Sequence, residues 1–143
     1  GTGRVPIYDA HGLWRSVLAR RVLPGKGPKS VAGRGERRGL VIANPAARRM
    51  LAGELASVER VVVAEGEMDA LTFALVVPEG TPVIGLFSGA WSAEHGARIP
   101  DGAVVLIATH HDESGHGYAR HVLEDLHPRL ASGALRAERW RPR

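Results

Sequence analysis

The apolar residues of this 143-residue chain change rhythm partway along it. Before residue 60 they come in short pieces. Val5-Pro-Ile-Tyr-Asp-Ala-His-Gly12 and Leu13-Trp-Arg-Ser-Val-Leu-Ala-Arg20 read as two short strands around an Asp-Ala-His-Gly turn, a β-hairpin with rough apolar alternation after the turn. Pro24–Lys29 and Gly33–Gly39 hold too much Gly and Pro for regular structure and are expected as loops flanking a short strand near Leu40-Val41-Ile42. Asn44-Pro45 is a helix start, a cap residue followed by proline at the first helical position, and the strong helix formers from Ala46 to Leu55 continue it.

From residue 61 the pattern is that of a different architecture. Val61-Val-Val-Ala64 is a continuous apolar run, as a strand covered on both faces requires, and Met68, Leu71, Thr72 and Leu75 follow at helical spacing. Pro82–Phe87 and Ala103–Ala108 repeat the buried-strand pattern, with a short helix predicted over Ala93–Arg98. Tyr118, Ala119, Val122, Leu123, Leu126 and Leu130 form one apolar face of a further helix, and Leu135–Trp140 alternates like a last strand. Strands alternating with helices at this spacing predict an α/β fold, a parallel sheet wrapped by helices, in which ligands lie beyond the carboxyl ends of the strands. The rhythm divides the chain into a small β-rich segment, residues 1–56, and an α/β core, residues 57–143.

Composition narrows the chemistry. Hydrophobic residues make up 44% of the chain and charged residues 24%, enough for the core of one soluble domain. No run of about 18 apolar residues is present and the first residues lack a basic-then-apolar leader, so no membrane partner is expected and the default location is cytoplasmic. There is no cysteine, which leaves only His, Asp and Glu as candidate metal ligands. The net charge of +4 conceals an asymmetry: residues 1–50 carry eleven Lys/Arg against two acids, and residues 51–143 eight against thirteen. A basic arm on an acidic body suits a protein that holds a polyanion with one part and cations with the other, although a solvated basic surface has the same composition.

The acids cluster where the fold class says to look. Glu65-Gly66-Glu67-Met68-Asp69 follows the first buried strand, and Thr109-His110-His111-Asp112-Glu113-Ser114-Gly115 follows the third. A glycine after the last strand residue lets the backbone turn sharply into a helix and aims the preceding carboxylate into the crevice. His110 and Asp112 are two apart and share a face if the strand persists. Each position also has a plainer role: Glu65 an acid at a strand-to-helix turn, Asp69 a first-turn helix acid, Asp112 a helix cap.

These residues resemble the Toprim domain of bacterial primases, topoisomerases and small nucleases. That family has a glutamate-glycine motif after its first strand and an Asp-x-Asp-x-x-Gly motif after its third. Val62-Val-Ala-Glu65-Gly66-Glu-Met-Asp69-Ala70-Leu71 and His110-His-Asp112-Glu-Ser-Gly115 occupy those places here, and the resemblance covers about residues 58–142. Gly85-Leu-Phe-Ser88-Gly89-Ala90 is similar to the small-residue turn after the second strand. The first fifty residues resemble the segment preceding the Toprim core in bacterial and phage primases, through Val5-Pro6-Ile7-Tyr8-Asp9-Ala-His-Gly12, Arg20-Arg21 and Pro28-Lys29.

The resemblance implies a Rossmann-like Toprim core with a primase-type activity. That activity is nucleotidyl transfer making short RNA primers from nucleoside triphosphates on a single-stranded DNA template, with a helicase as a further partner of the larger protein. It implies Glu65 as catalytic base or acid, Asp112 as a metal ligand, and Glu65, Asp69, Asp112 and His110 around Mg²⁺ or Mn²⁺. It implies phosphate contacts from Arg21 and Lys29, with Ser88 and Gly89 near the nucleotide. One departure stands out: His110 replaces the first aspartate of the motif, which removes a negative charge and favours Mn²⁺ over Mg²⁺ if the imidazole is a ligand. A Toprim nuclease, or a degenerate module that binds nucleic acid without catalysis, are the alternatives.

Overall fold

Val61, Val62, Val63 and Ala64 are all fully buried, so the strand they form is covered on both faces. The computed structural model of the chain describes residues 2–21, 30–32, 39–87 and 91–141. In chain order its strands are β1 (Thr2–Tyr8), β2 (Trp14–Arg21), β3 (Ser30–Ala32), β4 (Ile42–Ala43), β5 (Arg60–Glu65), β6 (Val83–Leu86), β7 (Val104–Ala108) and β8 (Arg136–Arg139). The helices are α1 (Pro45–Leu51), α2 (Gly66–Val76), α3 (Ala93–Ala97) and α4 (Glu113–Ala131). β1, β2 and β3 form an antiparallel three-stranded sheet. The second sheet has the order β4-β6-β5-β7-β8; β4 is antiparallel to β6 and the remaining pairs are parallel. This is the expected α/β architecture, with β3 an addition that its three-residue sequence was too short to signal.

Alternation along β5 splits the core into two layers. Val61 and Val63 join Ile84, Leu86, Val105 and Ile107 on the face covered by α1 and α4, through Met50, Leu51, Ala119, Val122 and Leu126. Val62 and Ala64 join Val83 and Ala108 on the face covered by α2, through Ala70, and by Ile7 of β1. The hairpin is tied to this body where Tyr8 and Val41 exchange two main-chain hydrogen bonds of 2.8 Å. The Arg48 guanidinium also donates to the Tyr8 hydroxyl at 2.5 Å. Asn44 both caps α1, accepting from the Ala47 amide at 2.9 Å, and fastens the helix to β6, accepting from the Val83 amide and donating to the Thr81 carbonyl at 2.9 Å each.

Three local expectations change. α1 stops at Leu51 rather than Leu55, because Gly53 takes the left-handed conformation, φ +78°, that ends a helix. Met68, Leu71 and Leu75 of α2 are exposed, and Ala70 is the residue that meets the sheet. The reason is a close approach: a Cβ on Gly85 of β6 would stand 2.6 Å from the Ala70 Cβ, so only a small residue on a small residue lets this helix lie on the strand. β7 ends at Ala108, so His110 and Asp112 do not continue its pleat. Among the described residues, no helix is long and apolar enough to cross a membrane.

Candidate functional site

β5 and β7 are adjacent and parallel, with Ala64 beside Ala108, so the segments that follow them emerge at the same end of the sheet. At the end of β5 the chain turns through Gly66, whose φ of +77° is the sharp turn that the Glu-Gly pair predicts. Glu65 is left at the N-terminus of α2 with a side chain only 15% exposed, and Asp69 stands one turn further along the helix.

The segment after β7 is held to the body at four points. Thr109, fully buried, donates its hydroxyl to the Gly115 carbonyl at 2.7 Å. Asp112 caps α4 by accepting from the Gly115 amide at 2.7 Å. Arg139 at the end of β8 donates to the His110 carbonyl at 2.8 Å. Gly115 itself passes so close that a Cβ there would lie 1.9 Å from the His110 carbonyl oxygen.

These restraints set His110 opposite Glu65 at the end of β5 and Asp69 of α2. Its ring Nδ1 lies 2.9 Å from Glu65 Oε2, its Nε2 lies 2.8 Å from Asp69 Oδ2, and its amide donates to Glu65 Oε1 at 3.3 Å. The ring hydrogen bond is the one between Nε2 and Asp69, while Nδ1 lies within ion-pair distance of Glu65, so the surroundings favour the protonated ring. The pKa of His110 is accordingly raised above 6.5, first by the hydrogen bond to Asp69, against partial desolvation, with the charges of Glu65, Asp69 and Asp112 contributing in the same direction. His111 and His116 belong to a neighbouring group: their rings meet edge to face at 5.9 Å, and Arg139 lies 3.3 Å from His116 Nδ1.

The structure thus brings Glu65, Asp69 and His110 together and assigns Asp112 a capping bond. Arg21 closes β2, with its side chain outside the described part of the structure; Lys29, Ser88 and Gly89 lie outside the described residues. Thr109 and Arg139 were not anticipated. Nothing local marks Arg139, which acquires its role because β8 pairs in parallel with β7 and sets Arg139 beside Ile107. Among the described residues, no three His, Asp or Glu side chains are grouped to hold a metal ion. Carboxylates such as Glu65 and Asp69 are the donor type a hard divalent ion takes, and here they contact the two different nitrogens of the His110 ring.

The mostly parallel sheet and its flanking helices make an α/β fold of the Toprim type. No protein-family model and no curated protein matches the chain. Solved structures do. A DNA primase domain from Pseudomonas aeruginosa matches with a TM-score of 0.67 at 21% identity, over 97% of this chain and 43% of that one. The Escherichia coli primase catalytic core matches with a TM-score of 0.62 at 21% identity, over 98% of this chain and 44% of that one. A DnaG primase catalytic domain bound to single-stranded DNA matches with a TM-score of 0.67 at 20% identity, over 97% and 44%. The chain therefore has the fold of part of a primase catalytic core and spans less than half the length of those proteins.

Proposed function

We propose that this chain is the Toprim part of a primase-like nucleotidyltransferase, building short RNA primers from nucleoside triphosphates on a single-stranded DNA template. The observation that carries the reading is the convergence of Glu65 and Asp69 with His110 at the carboxyl ends of two adjacent parallel strands. Glu65 and Asp69 would hold Mg²⁺ or Mn²⁺ there, with Asp112 and His110 as further candidates. Bound there, a divalent ion supplies charge neutralisation and alignment of the phosphate oxygens.

The protein's own groups do the rest. Glu65, whose side chain is 15% exposed, would accept the proton of an attacking hydroxyl. The basic first fifty residues, Arg21 and Lys29 among them, supply phosphate contacts whose strength falls steeply with salt. Ser88 and Gly89, which follow β6 in the sequence, would lie near the nucleotide by the Toprim resemblance. Such a module works within a larger cytoplasmic protein, with a helicase as the natural partner.

A second reading has its own support. His110 bridges both carboxylates and Asp112 spends an oxygen on a helix cap, which favours a module that binds nucleic acid without catalysis. A Toprim nuclease is the third outcome. The test is incubation of the protein with a labelled single-stranded DNA, all four ribonucleoside triphosphates and Mg²⁺ or Mn²⁺, in parallel with Glu65→Gln. Triphosphate-dependent RNA products lost in the variant support primer synthesis. Cleavage of the strand establishes the nuclease, and DNA binding with neither product establishes the non-catalytic module.

A further inference from the structure

We propose that Trp14, at the turn between β1 and β2, is a stacking platform for an unpaired base of a single-stranded nucleic acid, with Arg15 and Arg98 on the same turn for its phosphates. The inference deepens the nucleic-acid reading above and rests on it. It puts a contact on the hairpin turn rather than at the strand ends.

The turn is rigid and holds apolar side chains out in water. The Asp9 carboxylate accepts from the His11 and Leu13 amides at 2.9 and 3.1 Å, and the Asp9 main chain accepts from Gly12 and donates to Leu13, both at 3.0 Å. Gly12, at φ +78°, passes so close to α1 that a Cβ there would collide with the Arg48 carbonyl. A turn tied in this way keeps Leu13 and Trp14 outside, 59% and 65% exposed. The Trp14 indole N–H donates to the Ser16 carbonyl at 2.8 Å. The ring's one polar group is thereby satisfied inside the protein, and what it offers a partner is its π face.

The charge on the turn selects the partner. Arg15 has 62% of its side chain exposed and reaches the Asp9 carboxylate only at 3.6 Å. Arg98, which follows α3, donates to His11 Nδ1 at 2.7 Å and so brings a cation from the body of the fold onto the turn. Arg4 of β1 is exposed as well, and residues 1–50 carry eleven Lys/Arg against two acids. An aromatic face among cations suits a polymer of bases and phosphates. A base reaches the ring only when it is unpaired, which favours a single strand over a duplex.

The experiment is fluorescence anisotropy of a labelled single-stranded oligodeoxynucleotide, and of the same sequence as a duplex, titrated with the unmodified chain, Trp14→Phe, Trp14→Leu and Arg15→Ala. Melting curves establish that each variant is folded. The expected result is single-strand binding about tenfold weaker in Trp14→Leu and within about threefold of the parent in Trp14→Phe, with duplex binding unchanged in both. Arg15→Ala should weaken binding to both forms and lower the salt slope by about one. Parent-like binding of the single strand by Trp14→Leu would leave the exposed ring to a protein surface and overturn the proposal. Equal losses on single strand and duplex would overturn it too, since stacking is then not the contact. A parent chain that binds no single strand would overturn it together with the nucleic-acid reading. Binding that depends on Trp14 in a protein that makes no RNA sustains this inference while the primer-synthesis reading falls.

Discussion

α4 contains two glycines two residues apart whose replacement by alanine should have opposite effects. A Cβ on Gly115 would lie 1.9 Å from the His110 carbonyl oxygen, 2.5 Å from the carbonyl carbon and 2.8 Å from the amide nitrogen. A carbon–oxygen contact needs roughly 3.3 Å, so helix and strand end must part by about 1.4 Å. Because every crowded atom is main chain, no side-chain rotation relieves it. Parting them strains the Asp112 cap and the Thr109 hydrogen bond to Gly115, worth about 1 kcal/mol each, on top of an overpacking cost of about 1–3 kcal/mol. A destabilisation of about 2–4 kcal/mol follows, or a melting temperature lower by roughly 6–15 °C for a domain of this size. Gly117 has nothing within 4 Å of its Cβ position and sits in the same helix, so Gly117→Ala should stabilise by about 0.5–1 kcal/mol through helix propensity. Calorimetric melting of the two variants beside the parent tests the pair. If Gly115→Ala melts within about 2 °C of the parent, or if both shift in the same direction, the packing of α4 against His110 described above is wrong.

Asn44→Ala should cost about 3 kcal/mol in urea denaturation, since it removes the α1 cap and leaves the Val83 amide and Thr81 carbonyl without their partner; Asn44→Asp, which keeps the acceptor and loses the donor, should cost about 1 kcal/mol. A cost for Asn44→Asp equal to that for Asn44→Ala would contradict the separate accounting of donor and acceptor. His95 is fully buried and its pKa is depressed below 6.5, chiefly by desolvation, against the opposing influence of the Gly39 and Ser92 backbone and of Glu94 and Asp125. Below pH 6.5 the unfolded chain therefore takes up a proton that the folded chain refuses, and stability falls as the pH drops. The slope of stability between pH 7 and 5 should be shallower in His95→Gln; an unchanged slope would place the acid sensitivity elsewhere.

Much of the molecule is legible from neighbouring residues. The unbroken apolar run Val61–Ala64 marks a strand buried on two sides because alternate residues face opposite layers, and both layers here are helix and core. Asn44-Pro45 marks a helix start because capping is a contact within three residues, and the Asn44 cap is present. Gly66 after Glu65 marks a sharp turn because the left-handed conformation is open to glycine, and Gly66 adopts it. From these short-range facts the order of strands and helices follows, and with it the end of the sheet where acids collect.

Other features are set by partners remote in the chain. The apolar spacing of Met68, Leu71 and Leu75 says that α2 has an apolar side, while the side that meets the sheet is chosen by the gap between Ala70 and Gly85. Arg139 is one basic residue among several at the end of the chain until the parallel pairing of β8 with β7 puts it on the His110 carbonyl. The sequence by itself determined that Glu65, Asp69 and His110 reach one end of the sheet, since strand order and turn chemistry are written in local patterns of burial and glycine. That the ring of His110 lies between the two carboxylates was decided by tertiary structure alone. The direction of a side chain at the end of a strand depends on a helix 41 residues earlier, on the passage of α4 at Gly115 and on a pairing formed by the last strand. Contacts of that range leave no periodicity in the residues that make them.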